Sequence, residues 1–197
     1  MSFQFDHKSF HAQEPNVVVI EPARHMQILY RSMLNASGVR GLRVFNDVER
    51  AAESILATPP DVVLVDWSDD NSVGEHFLGQ FRDRRLYPVC LIPIIVLMSV
   101  VRKNKFSQAI RLGAHAVLAK PVSSTKLFDY ICWILAAKFP MELNGQRYVV
   151  PSLLERVDAE FSTGAQFAAD SMAEAQHKAQ INSIQSDVDR ILNSAFY

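Results

Sequence analysis

The sequence predicts an α/β protein, a doubly wound five-stranded parallel sheet followed by an α-helical extension. Three observations carry this expectation. Residues 16–20 (NVVVI), 62–65 (VVLV) and 94–98 (IIVLM) are short, continuous apolar runs bounded by turn signals, the pattern of strands buried on both faces of a parallel sheet. Between residues 16 and 139 strand-like runs alternate five times with stretches of helical spacing, the signature of a parallel sheet wound with helices. After residue 139 the alternation stops, and from 152 the chain reads as helix to its end.

In chain order, residues 1–15 form a polar lead-in punctuated by Phe3, Phe5 and Phe10. Strand 16–20 ends at Glu21 and Pro22, and a proline at a helix start costs no hydrogen bond that the helix could have made. Met26, Leu29, Met33 and Leu34 give the next helix its apolar face, and Gly38 closes it. Residues 42–45 form a short strand, and 47–57 a helix stopped by Pro59 and Pro60. Strand 62–65 delivers Asp66 into a polar loop that ends at Gly74. A helix over 72–86 presents Phe77, Leu78 and Phe81; strand 94–98 follows, then a helix over 105–112 ended by Gly113. Strand 116–119 and helix 123–139, capped at Ser123 or Ser124, complete the unit.

Composition narrows the function classes. With 197 residues, 49% of them apolar, the chain can bury one good core and carry an appendage. A formal net charge of -1 gives no bulk attraction to nucleic acid or anionic membrane. Cys90 and Cys132 lie in apolar surroundings, as expected for free thiols in a reducing compartment. Asp6, His7 and Lys8 stand where a secretory leader would be apolar, and the longest apolar run, 89–101, is too short to span a bilayer and contains Pro93. A cytoplasmic protein without membrane insertion is the expectation.

Asp66 sits at the carboxyl end of a buried strand, where ligands and chemistry collect in open α/β sheets. Four stretches add detail: VVVIEPARHMQILYRSMLNASGV, PPDVVLVDW, IPIIVLMSV and LGAHAVLAKP. In this order and spacing they resemble the receiver domain of bacterial two-component response regulators, a flavodoxin-like fold with strand order 2-1-3-4-5. The resemblance covers about two thirds of the chain, residues 16–139, and its most specific part combines Asp66 with Lys120-Pro121 and the preceding Gly113-Ala114. It implies that Asp66 is the phosphoacceptor position and that Lys120 contacts phosphoryl oxygens. It also implies a magnesium ion held by the acceptor and by an acidic pair after the first strand. Phosphoryl transfer is mostly positioning and charge neutralisation, which is why the family places a dication and a lysine there.

Several pocket positions depart from that pattern. The acidic pair is Glu21 and Pro22, and proline offers no side-chain oxygen to a metal that wants near-octahedral oxygen ligation. Glu21 and Asp66 remain as a weak magnesium pair. The hydroxyl position falls on Met98, an apolar core residue by type, while Ser99 on a continuing strand would point the other way. The aromatic switch position is Val117, and Asp69 and Asp70 read as a solvated loop. Asp66 and Lys120 serve equally as a retained ion pair, since breaking a buried pair costs several kcal/mol.

Outside the pocket, the Arg82, Arg84, Arg85 cluster and Arg102, Lys103, Lys105 and Arg111 raise a cyclic-nucleotide reading, without a Gly-rich phosphate loop to support it. The histidines lack ligand spacing. Residues 140–151 read as a linker, with Asn144-Gly145 as a turn and 147–150 as a short strand or extended connector. In the helical extension 152–197, Leu153, Leu154, Val157 and Phe161 share a face, and Ile181, Ile184, Val188 and Ile191 form a short seam suited to homodimerisation or partner docking. Basic residues are too few there for a DNA-binding unit. The sequence thus predicts a non-enzymatic, degenerate receiver acting by contact with a histidine kinase, phosphotransferase or downstream target. The alternatives are a phosphorylatable response regulator in a phosphorelay and an arginine-dependent cyclic-nucleotide sensor.

Overall fold

The computed structural model describes residues 15–67 and 73–163. Five parallel strands form one sheet in the order β2-β1-β3-β4-β5, the order expected. They are β1 (Asn16–Ile20), β2 (Gly41–Phe45), β3 (Val62–Asp66), β4 (Ile94–Met98) and β5 (Ala116–Ala119). The register pairs Val19 with Val44 and Leu64, Val65 with Val96, and Leu97 with Leu118. Every residue of β3 and β4 is buried, because helices cover both faces and leave no solvated side for a polar alternation. Each such Val, Leu or Ile contributes about 1.5–3 kcal/mol by leaving water, so the central strands carry the stability of the fold.

The helices are α1 (Arg24–Ala36), α2 (Val48–Ala57), α3 (Val73–Phe81), α4 (Lys103–Arg111) and α5 (Ser124–Ala137). α1 packs against α5, and α2 against α3. Local chemistry sets their ends. The Asp47 carboxylate accepts from Arg50 N at 2.8 Å at the start of α2, and the Ser123 hydroxyl accepts from Lys126 N at 3.2 Å at the start of α5. α1 closes on Gly38, whose φ of +91° is the left-handed turn a glycine supplies without a Cβ clash.

Two helix readings shift. α3 ends at Phe81, and a separate single turn, Arg84–Leu86, follows it. On α1 the buried face runs through Tyr30 and Leu34, whereas Leu29 is 46% exposed. Leu29 and Tyr30 are adjacent, so a stripe of helical spacing turned by one residue decides which of them enters the core.

Residues 140–151, read as a linker, instead hold an antiparallel hairpin, β6 (Glu142–Asn144) and β7 (Arg147–Val149), turning at Gly145 with φ +64°. It leads into α6 (Pro151–Thr163). Val150, Leu153 and Val157 are buried in the common core, α6 lies along α4, and Arg111 pairs with Asp158. The segment after β5-α5 is therefore part of the same folded body at least through Val157. The seam residues Ile181, Ile184, Val188 and Ile191 lie outside the described residues.

Arg82 joins the hairpin to the sheet domain. It is fully buried and, among the described residues, its hydrogen bonds go to carbonyls and a histidine and to no carboxylate. Its Nε donates to Gly113 O at 2.9 Å, its Nη1 to Ile92 O at 2.8 Å and to Cys90 O, and its Nη2 lies 3.2 Å from His115 Nδ1. Its own carbonyl accepts from Tyr148 N at 2.9 Å. Burial lowers the guanidinium to about 9, still charged at neutral pH, and holds His115 well below its usual value, with Arg82 acting in the same direction. Gly113 is required here: φ is +93°, and a Cβ would meet Tyr148 O at 2.7 Å and Arg82 Cγ at 2.9 Å.

Candidate functional site

Three strand ends converge on one cluster. β1 runs into Glu21, whose amide donates to Phe45 O at 2.9 Å, extending the β1-β2 ladder by one residue. β3 terminates in Asp66, and Trp67 N donates to Leu97 O at 2.8 Å, so Asp66 is held at the end of the β3-β4 ladder. β5 ends one residue before Lys120, whose amide donates to Met98 O at 2.7 Å. Lys120 is thereby brought beside Glu21, 99 positions earlier, and Asp66, 54 positions earlier, by register alone.

The Lys120 ammonium lies between the two carboxylates. Its Nζ donates to Asp66 Oδ1 at 2.5 Å and to Glu21 Oε2 at 2.8 Å. The side chains of Glu21 and Asp66 are each 3% exposed and that of Lys120 13%, so the cluster is nearly desolvated. Burial alone would lower the Lys120 pKa; the hydrogen bonds to Asp66 and then Glu21 outweigh it and raise the pKa above the usual lysine value. Glu21 is also fixed locally. Its Oε1 accepts from Ala23 N at 3.0 Å, and its carbonyl accepts from Gln27 Nε2 at 2.7 Å.

Pro22, Ser99 and Tyr30 border the same cavity of about 690 Å³. Pro22 brings no oxygen beyond its carbonyl. Met98 is 1% exposed and packed into the core. Ser99 borders the cavity because β4 stops at Met98, so the strand alternation used to turn Ser99 away does not extend to it. Val117 is fully buried in β5 opposite Val96. Asp69 and Asp70 lie outside the described residues.

Tyr30 was not singled out by sequence reasoning. It is 1% exposed, and Lys120 Nζ stands 5.9 Å from its ring centroid, close enough for the ammonium to act on the phenol. Burial pushes its phenol up to about 12. The signal was present as the spacing Met26, Tyr30, Leu34, which reads as a plain core stripe until the lysine from β5 is placed beside it.

The basic clusters separate in space. Arg82 is internal and is removed from any nucleotide-facing surface. Arg85 is tied to Asp83 at 2.9 Å, Arg111 to Asp158, and Lys105 Nζ lies 6.0 Å from the Trp67 ring centroid. Among the described residues no group of three or more His, Cys, Asp or Glu could hold a metal ion, and no helix is long and apolar enough to cross a membrane.

Comparison with known proteins agrees with this geometry. A protein-glutamate methylesterase/protein-glutamine glutaminase 2 of Chromobacterium violaceum is 32% identical over 114 residues, covering 57% of this chain and 31% of its own length. The chain thus spans about a third of that relative. Among solved structures, the chemotaxis response regulator CheY4 of Vibrio cholerae has a TM-score of 0.54 at 17% identity, over 62% of this chain and 99% of its own. The receiver domain of a Pseudomonas aeruginosa sensor histidine kinase, solved with magnesium in its active-site cleft, has a TM-score of 0.56 at 19% identity, over 63% and 99%. The signal receiver domain of a modulated diguanylate cyclase from Desulfovibrio desulfuricans gives 0.54 at 28% identity, over 64% and 97%. The response regulator receiver domain model matches residues 17–132, more than half of the chain, and with the strand order and the Asp66-Lys120 pair this places the protein in the receiver domain family of two-component signal transduction.

Proposed function

We propose that this protein is a degenerate receiver, a signalling module that works by contact with a partner protein and is not driven by efficient phosphorylation of Asp66. One observation carries the reading: the Lys120 ammonium bridges Glu21 and Asp66, so a cation that belongs to the chain occupies the space between the two carboxylates. The family's magnesium fits this donor set poorly. Magnesium needs near-octahedral oxygen ligation with at least one or two carboxylates free to bind it. Here each carboxylate already accepts from Lys120, and Pro22 supplies no third group. Met98 further removes the hydroxyl that would contact a phosphoryl oxygen.

Under this reading Asp66 and Lys120 hold the ends of β1, β3 and β5 together, and partners recognise the surface so fixed. The partner class is a signalling protein, either a histidine kinase, a phosphotransferase or a downstream target, in the cytoplasm. The test is incubation of the full chain with acetyl phosphate and magnesium, followed by intact-mass measurement. The mass is expected to stay unchanged. Stoichiometric acyl phosphate on Asp66 would establish instead a phosphorylatable response regulator. Ser99 at the cavity edge is the observation that keeps that second reading in play, since it could supply the missing hydroxyl.

A further inference from the structure

Not every large apolar residue of α1 faces the core. Ile28 is 63% exposed and Leu29 46%. Leu29 belongs to a stripe, Met26, Leu29, Met33 and Ala36, at spacings of three, four and three residues; Met26 and Met33 are half-buried, and Leu29 and Ala36 stand in solvent. The same spacings recur at Ile181, Ile184, Val188 and Ile191. Alternation of three and four is the seam along which two helices mesh side by side. A stripe this short is marginal as an isolated helix in water, so it needs a face on which to bury. Charge agrees with the pairing. Helix α1 carries Arg24 and Arg31, both exposed, and no acidic residue, whereas 181–191 carries Asp187 and Asp189 against Arg190 alone. The other large apolar side chains exposed among the described residues fit less well. Leu56 stands a turn from Glu53 on α2, Tyr87 follows a single turn and Leu143 lies in β6, so none of them offers a basic helical stripe.

We infer that the outer face of α1 is the docking surface of the chain's own segment 181–191, which lies on it as a helix with its isoleucine and valine stripe against Met26, Leu29 and Met33. Asp187 and Asp189 come under the positive field of Arg24 and Arg31. The connection is long enough. α6 ends at Thr163, and residues 164–180, at about 3.3 Å each, can bridge about 55 Å. A folded body of this size has a radius of gyration of about 15 Å, so every face of it is within reach. The tether also holds the segment at an effective concentration of about a millimolar, which favours it over a second copy of the chain. Leu29 borders the Asp66 cavity as well, so the docked segment stands at its mouth, and a partner protein that approaches across α1 has first to displace it. None of this depends on whether Asp66 is phosphorylated, so the phosphodonor experiment and the one below can fail separately.

The experiment is paramagnetic broadening in the nitrogen-15-labelled full chain, with a nitroxide on Ser186→Cys, a position on the side of the segment away from its stripe. Cys90 and Cys132 are buried and stay unlabelled. The amide signals of Ile28, Leu29 and Ser32 are expected to lose most of their intensity relative to the reduced label, while those of α2, on the other face of the sheet, keep theirs. Two double variants should each restore the α1 signals: Ile184→Asp with Val188→Asp on the segment, and Ile28→Gln with Leu29→Gln on the helix. The second pair is exposed, so circular dichroism should show the fold intact. A mixture of isotope-labelled chain without nitroxide and unlabelled chain with it separates the occupants, and the α1 signals should be unchanged in it. Broadening in that mixture assigns the face to a second copy and overturns the inference. Undiminished α1 signals in the singly labelled chain, or a loss that persists in both double variants, overturns it too.

Discussion

Replacing Lys120 with methionine isolates the physics of the site. The substitution keeps an unbranched side chain of similar length and removes only the ammonium, so packing is nearly unchanged. Glu21 and Asp66, each 3% exposed, are then left facing one another without a cation. Removing one member of a buried ion pair typically costs about 3–5 kcal/mol, because the remaining charge stays desolvated. In the variant one of the two carboxylates should hold a proton well above the ordinary carboxyl range, since like charges sharing a site cannot both ionise. The sign follows. A folded-state carboxyl pKa raised above its unfolded value gives stability at low pH that is lost as pH rises through the folded value. The deficit against wild type should therefore be about 3–5 kcal/mol at pH 8 and shrink toward pH 5. His115, held neutral by burial, costs both proteins stability as pH falls below 6.5, so the difference at each pH is the quantity to follow. Urea unfolding monitored by Trp67 and Trp133 fluorescence measures it. A deficit below about 1 kcal/mol at pH 8, or one that does not change with pH, would refute the bridging role of Lys120.

Three further outcomes are expected. Wild type should lose stability as pH climbs past about 10, because the unfolded chain then gives up protons that folded Tyr30 and Lys120, both with raised pKa, retain; alkaline urea curves should show this loss, and Lys120→Met should show less of it. Arg82→Met leaves the carbonyls of Gly113, Cys90 and Ile92 without their buried donor and should cost about 3 kcal/mol or more, and Arg82→Lys should recover little because an ammonium lacks the planar fork that reaches all three. Leu153→Ala should cost about 2–5 kcal/mol in a single cooperative transition, whereas an independent tail would show almost no effect on the unfolding of the sheet domain.

Different kinds of interaction made parts of the protein more or less legible. Strands such as 62–66 and 94–98 were readable because burial on both faces forces a continuous apolar run, and the local sequence alone records it. Asp66 was readable because it ends a buried strand, and Lys120 because the stretch that carries it resembles the receiver family's. Tyr30 was missed because its distinction lies in a lysine 90 positions later, which helical periodicity cannot register. Arg82 was read as a surface cation because arginine is seldom fully buried, and only carbonyls brought in from residues 90, 92 and 113 make an interior place for it.

The sequence by itself determined the class of fold, the order of its elements and the residues that stand at the strand ends, because those follow from the local periodicity of apolar side chains and from turn chemistry. Only the tertiary structure decided that the Lys120 ammonium lies between Glu21 and Asp66, that Ser99 borders the cavity, and that Val150, Leu153 and Val157 belong to the same core. These depend on parallel register and on packing between elements far apart in the chain, and the energy of such contacts is written in no single stretch of it.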